Sequence, residues 1–139
     1  MMIYHIFKNK ILDNMKILHI DDNETIIEPI QMYLELDFDF TPCTDPVRGL
    51  ELIKSGNYDI VLLDLAMPVL SGYEIVEALS ESGEIKNQKI IIFSASNSKD
   101  QEIENLKKKG IHSYLQKTIS MDELIDHIKN AANEGIISV

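Results

Sequence analysis

Three carboxylates, one hydroxyl and one ammonium stand where short apolar runs stop. Asp21 and Asp22 follow KILHI, Asp64 follows IVLL, Ser94 follows IIIF, and Lys117 follows SYLQ. The runs are rich in β-branched residues and read as strands. In an open parallel sheet, ligands bind beyond the carboxyl ends of the strands. If these runs share one sheet, the polar residues gather on one rim.

Crowded carboxylates repel and raise one another's pKa. A hard divalent cation with oxygen ligands relieves that conflict, and two or three carboxylates plus waters suit Mg²⁺. Nothing argues for zinc or a redox metal: Cys43 is the single cysteine, and His5, His19, His112 and His127 fall in unrelated segments and form no set. With a cation in place, one carboxylate is left to act as a nucleophile toward phosphorus. Asp64 is the candidate, because it ends the central apolar run. Lys117, as a point charge, and Ser94, as a hydrogen-bond donor, would hold the incoming phosphoryl oxygens. The small Ala95 leaves room for them. Taken singly, each residue has a plainer reading. An acidic pair suits a helix N-terminus, Asp64 suits a turn, Ser94 a loop, and Lys117 a solvated surface. Their joint placement on one rim favours the functional reading.

The elements that must position them alternate along the chain. Strands are predicted at Lys16 to Ile20, Phe40 to Thr44, Asp59 to Leu63, Lys89 to Phe93 and Ser113 to Gln116. Between them, Ile26, Ile27, Ile30, Tyr33 and Leu34 repeat with helical period. Pro29 is expected to kink that helix or displace its regular part. Pro42 marks the second strand as an edge strand. Asp45-Pro46 reads as N-cap and first residue of a helix reaching about Lys54. Further helices are predicted over Gly72 to Ser80 and over Lys99 to Lys109, the latter closed by Gly110. Ser120-Met121-Asp122-Glu123 reads as a capping box opening a last helix with Leu124, Ile125 and Ile128 on one face. Strand–helix alternation predicts α/β architecture, (βα)5, with a parallel sheet.

Composition sets the outer bounds. The chain has 139 residues, 45% hydrophobic and 26% charged, which suits one globular domain. A single cysteine excludes a disulfide framework. The net charge of -10 argues against nucleic-acid binding through a broad basic face. No apolar run approaches the roughly 18 residues of a membrane span, and Lys8 and Lys10 interrupt the only signal-peptide-like stretch. A cytoplasmic protein is expected. Residues 1–14 form a leader, expected to be disordered or to reflect a start placed too early, and residues 15–139 form the domain. Lys107-Lys108-Lys109 is a basic spot whose plain reading is a solvated helix end.

These residues resemble the receiver domain of two-component response regulators. DIVLLDLAMPVLSG is similar to the family's phosphoacceptor segment, HIDDNE to its acidic pair, IIIFSAS to its fourth strand with a switch hydroxyl, and SYLQK to its fifth strand with an aromatic switch residue and the lysine. The resemblance implies a flavodoxin-like three-layer sandwich with strand order 2-1-3-4-5. It implies that Asp64 accepts a phosphoryl group from a phosphohistidine of a sensor histidine kinase or histidine phosphotransfer protein. It further implies Mg²⁺ held by Asp22, Asp64, the backbone carbonyl of Ala66 and, through water, Asp21. Ser94 and Tyr114 would form the switch, and Ala66 and Ser96 stand where the family tunes phosphoryl lifetime. Thr118 departs from the pattern, which has proline after the lysine. A non-proline cis bond costs about 2.5–4 kcal/mol, so the loop is expected to be trans or strained.

The implied output is a changed protein-binding surface over the fourth helix, fifth strand and fifth helix, which also offers a homodimer face. With no residues left over for an effector, a stand-alone regulator with a separate protein target is expected. The alternative is a pseudo-receiver, the same fold used as a binding or dimerisation scaffold. A Mg²⁺-dependent phosphohydrolase is disfavoured, because the position two after Asp64 is Ala66 rather than a second acid–base carboxylate. The expected class is therefore a signalling module and not an enzyme.

Overall fold

The computed structural model describes residues 15–95 and 97–134; the leader at 1–14, Ser96 and residues 135–139 lie outside the described residues. The strands are β1 (Lys16–Ile20), β2 (Asp39–Cys43), β3 (Ile60–Leu63), β4 (Ile90–Ser94) and β5 (Ser113–Gln116). The helices are α1 (Glu24–Leu34), α2 (Pro46–Ser55), α3 (Gly72–Ser82), α4 (Asp100–Lys109) and α5 (Met121–Asn133), with a short 3₁₀ turn at Glu84–Asn87 that the sequence reading did not anticipate. All pairings are parallel, in the order β2-β1-β3-β4-β5. This is the expected (βα)5, flavodoxin-like arrangement.

Strand side chains alternate between faces, so each face carries its own core. Leu18, Ile20, Val61, Leu63, Ile90 and Ile92 pack with Ile53 of α2, Ile75 and Leu79 of α3 and Leu106 of α4. Ile17, Ile60, Leu62, Ile91 and Phe93 pack with Ile30 and Leu34 of α1 and Leu124 and Ile128 of α5. The inner strands β3 and β4 are buried throughout, as a doubly covered sheet requires.

The helix and strand ends refine several expectations. Helix α1 runs through Pro29, and Asn23 caps it by accepting from the Thr25 amide. Asp21 and Asp22 therefore precede the helix rather than cap it. Tyr33 does not join the buried face: it is 52% exposed, while Ile27, Ile30 and Leu34 are buried. Pro42 does sit on the edge strand, opposite His19. Asp45 caps α2 as expected. Asp59 lies just before β3 and accepts from the Lys16 amide at 2.8 Å. Ser94 is the last residue of β4 rather than the first after it. At α5 only half of the expected capping box forms, Ser120 accepting from the Glu123 amide. The reciprocal box instead opens α3, between Ser71 and Glu74.

Candidate functional site

The rim at the carboxyl ends of β1, β3 and β5 brings the expected residues together. Asp21 is fully buried and Asp64 is 5% exposed, while Asp22 faces solvent. One carboxylate oxygen from each lies within 4.8 Å of the others. Backbone bonds fix the two buried carboxylates: the Asp21 amide donates to the Cys43 carbonyl at 3.1 Å, and the Asp64 amide to the Ile20 carbonyl at 3.0 Å. Each strand is thus tied to its neighbour one residue past its last ladder position.

Lys117 enters from the end of β5. Its ammonium lies 2.7 Å from Asp21 Oδ2 and 3.4 Å from Asp64 Oδ1. Its amide donates to the Ser94 carbonyl at 3.0 Å, which ties this loop to the end of β4. Every peptide among the described residues is trans, Lys117–Thr118 included. The departure at Thr118 therefore leaves the ammonium in the site. Ser94 is buried at the end of β4.

Burial, and then the neighbouring Asp21 charge, push the Asp64 pKa up against the pull of Lys117. The Asn23 amide donates to Asp21 Oδ1 at 2.9 Å. Asp21 Oδ2 has the Lys117 cation beside it but no aligned hydrogen-bond donor. Three carboxylate oxygens within 4.8 Å of one another, two of them on buried residues with the single Lys117 charge beside them, are a donor set that fits a hard divalent cation such as Mg²⁺.

Beneath the rim, His19 is fully buried with neither ring nitrogen hydrogen-bonded. Burial first, and the Lys117 charge second, push its pKa down to about 3. A neutral ring against Phe40 and Phe93, at centroid distances of 6.0 and 6.2 Å, is the result.

The loop after Asp64 is tightly built. Met67 is buried and Ala66 is exposed. Val69 adopts φ of 71°. A Cβ on Gly72 would stand 2.2 Å from the Asp64 carbonyl oxygen, so α3 begins directly against the backbone of the candidate nucleophile. The basic spot at the end of α4 is partly paired, Lys109 with Glu77 and Lys107 with Glu104 at 3.9 Å.

Tyr114 is half-buried on β5 and donates from its hydroxyl to Ser98 Oγ at 3.0 Å. The histidines correct an expectation, since two of them do come together. His112 Nδ1 and His127 Nε2 both meet Ser113 Oγ, at 2.9 and 2.7 Å, and His112 Nε2 meets Glu134 at 2.8 Å. No motif spacing signals that grouping, because it forms across β5 and α5. Asn23, by contrast, carried a readable signal: a side-chain acceptor just before an apolar-periodic segment.

A doubly wound parallel sheet places its ligand site beyond the carboxyl ends of its strands, and here that rim is acidic. The response regulator receiver domain family matches residues 17–129, and the chain belongs to that family. A nitrate/nitrite response regulator homologue of Haemophilus influenzae is 32% identical over 90% of this chain and 60% of its own length. The cell cycle response regulator CtrA of Brucella ovis is 34% identical over 82% of this chain and 48% of its own. The chain thus spans about half to three-fifths of the length of these relatives. Among solved structures, the receiver domain of Francisella response regulator 1452 superposes with TM-score 0.77 at 32% identity, covering 86% of this chain and 98% of that one. A CheY-like receiver from Methanospirillum hungatei shares the fold at TM-score 0.76 and 22% identity, covering 87% and 95%. The protein is a receiver-domain component of two-component signalling. Among the described residues, no helix is long and apolar enough to cross a membrane.

Proposed function

We propose that Asp64 is the phosphoacceptor of a phosphorelay, taking its phosphoryl group from a phosphohistidine of a sensor histidine kinase or histidine phosphotransfer protein. The observation that carries this reading is the convergence of the Asp21, Asp22 and Asp64 carboxylates, with the Lys117 ammonium against Asp21 and Asp64. In the transfer, an Asp64 carboxylate oxygen bonds to phosphorus as the P–N bond breaks, and the imidazole keeps the electron pair. The carboxylates of Asp21, Asp22 and Asp64 and the carbonyl of Ala66 would hold Mg²⁺. Bound there, the ion supplies charge neutralisation for the site and the phosphoryl oxygens.

Lys117 now neutralises Asp21 and Asp64; on transfer its ammonium takes a phosphoryl oxygen, and the Ser94 hydroxyl donates to another. Ser94 then draws toward the phosphoryl group and Tyr114 turns inward. The resulting population shift alters the surface of α4, β5 and α5, which meets a protein target or a second copy. Cytoplasmic action completes the proposal, and the size of the native protein in cells, 15.8 kDa or longer, decides whether an effector is attached.

Intact-mass analysis after incubation with Mg²⁺ and acetyl phosphate tests the chemistry. One added phosphoryl group is expected in the wild type, lost on chelation and absent from Asp64→Asn. A wild type that neither gains mass nor binds Mg²⁺ would replace this reading with the pseudo-receiver scaffold.

A further inference from the structure

His19 lies beneath the rim and takes no part in the phosphotransfer just described. Its ring has no exposed surface, and neither nitrogen has a hydrogen-bond partner. Burying a polar group unpaired is costly, and an apolar side chain of similar size would avoid that cost. Phe40 and Phe93 wall the ring at centroid distances of 6.0 and 6.2 Å, so packing alone does not call for an imidazole. One polar group does face it. His19 and Asp21 are two apart at the end of β1 and share one face of the sheet. His19 Nε2 is 4.0 Å from Asp21 Oδ2, the oxygen that the Lys117 ammonium approaches to 2.7 Å. That separation is too long for a hydrogen bond. Asp21 Oδ1 is already anchored by the Asn23 amide at 2.9 Å. The other oxygen thus has an ammonium in contact and a buried imidazole one step further away.

We propose that His19 is a positioning residue for Asp21, its neutral Nε2–H becoming the hydrogen-bond donor to Asp21 Oδ2 when the Lys117 ammonium turns to the phosphoryl group. The proposal rests on the phosphoacceptor reading for that departure of Lys117. With the ammonium gone, Asp21 Oδ2 stays buried beside Asp64. A buried carboxylate oxygen left without a donor is costly, and the cost falls on the transfer that draws Lys117 away. Closing the 4.0 Å gap by about 1 Å brings Nε2 to hydrogen-bond distance. No proton changes hands and the ring stays neutral throughout. One donor on Asp21 replaces another, and the carboxylate keeps its place in the rim. An apolar residue at position 19 offers no such donor.

The test is ¹H–¹⁵N NMR of the full chain labelled with ¹⁵N-histidine, with Mg²⁺ throughout, the His19 ring signals being assigned by their loss in His19→Gln. Wild type should show the neutral Nε2–H tautomer. In Lys117→Met, which withdraws the ammonium without any phosphoryl group, the Nε2–H proton should move downfield as it bonds to the carboxylate. Wild type with beryllofluoride should show the same shift. The Nδ1–H tautomer in wild type, or an Nε2–H proton unmoved in either sample, overturns the proposal. His19→Leu should form the acetyl phosphate adduct about threefold to tenfold more slowly, the effect of one net hydrogen bond, with a urea midpoint no lower than wild type. His19→Gln, whose amide nitrogen stands in for Nε2, should recover the rate. A wild-type rate in His19→Leu, or a slow rate that His19→Gln fails to recover, marks a packing role and overturns the proposal. If His19→Leu does not fold, the spectra decide. If wild type forms no adduct, the phosphoacceptor reading fails by itself. His19 is then judged on Lys117→Met alone: a downfield shift supports the donor role, and no shift overturns it.

Discussion

At the scale of single residues, Lys117 and Asp64 hold opposing tendencies in balance. Burial and the Asp21 charge favour a protonated Asp64, while the Lys117 ammonium at 3.4 Å favours the carboxylate a nucleophile needs. Removing Lys117 would leave Asp21 and Asp64 facing each other without a protein cation. Val69 shows a different tension. It is β-branched, 90% exposed, and held at φ of 71° in the loop after Asp64. Left-handed backbone costs an L-residue about 1–2 kcal/mol, and glycine returns part of that gain as unfolded-state entropy. Val69→Gly should therefore be about 0.5–1 kcal/mol more stable in urea unfolding. Equal or lower stability would show that this backbone carries no strain. Asp21, Asp22, Asp64 and Lys117 were legible because each terminates an apolar run. The Asp21–Lys117 pair was not, since it joins β1 to β5, which are not neighbours in the sheet.

At the scale of elements, two junctions carry most of the geometry. The first is α3 against the end of β3, where Gly72 leaves no room for a side chain. Gly72→Ala should cost about 1–3 kcal/mol, the usual range for overpacking, and should slow phosphorylation of Asp64 by shifting its backbone. Acetyl phosphate kinetics beside urea unfolding checks both; an unchanged adduct rate would separate α3 placement from the chemistry. The second junction is α5 on β5, through Ser113, His112, His127 and Glu134. Burial, then the His112 charge, hold the His127 pKa below its usual 6.5, against the Glu134 carboxylate. As pH falls through 6.5, the unfolded chain binds this proton before the folded one does. The His127 contribution is thus whole above 6.5 and is lost as pH falls toward the folded value. His127→Gln should lose less stability than wild type between pH 7.5 and 5.5, compared by urea midpoints. Identical losses would remove His127 from the pH dependence. The sequence reading placed both elements correctly, but the four-residue cluster arises only once the last crossover brings α5 onto the sheet.

At the scale of the whole molecule, one sheet separates two cores and holds the acidic rim at their common edge. Leu62, at the centre of β3, has no exposed surface and packs on the α1 and α5 side. Leu62→Ala should cost about 2–5 kcal/mol by lost transfer energy and cavity formation; a urea midpoint within error of wild type would mean that this face repacks without loss. Taken alone, the sequence determined the strand–helix alternation, the edge position implied by Pro42, and the polar residues standing at strand ends. Those follow from local rules: periodicity, proline's missing donor, and the position of a side chain just past an apolar run. Only the tertiary structure decided that Tyr33 faces water, that α1 runs through Pro29, and that Asn23 rather than the acidic pair caps it. It also decided that Lys117 reaches Asp21 across the sheet, that His112 and His127 share Ser113, and that Tyr114 donates to Ser98. The physical reason is that a repeat fixes which face a residue lies on, whereas its partner depends on which crossover lays which element beside it, and short hydrogen bonds and ion pairs have no period to read.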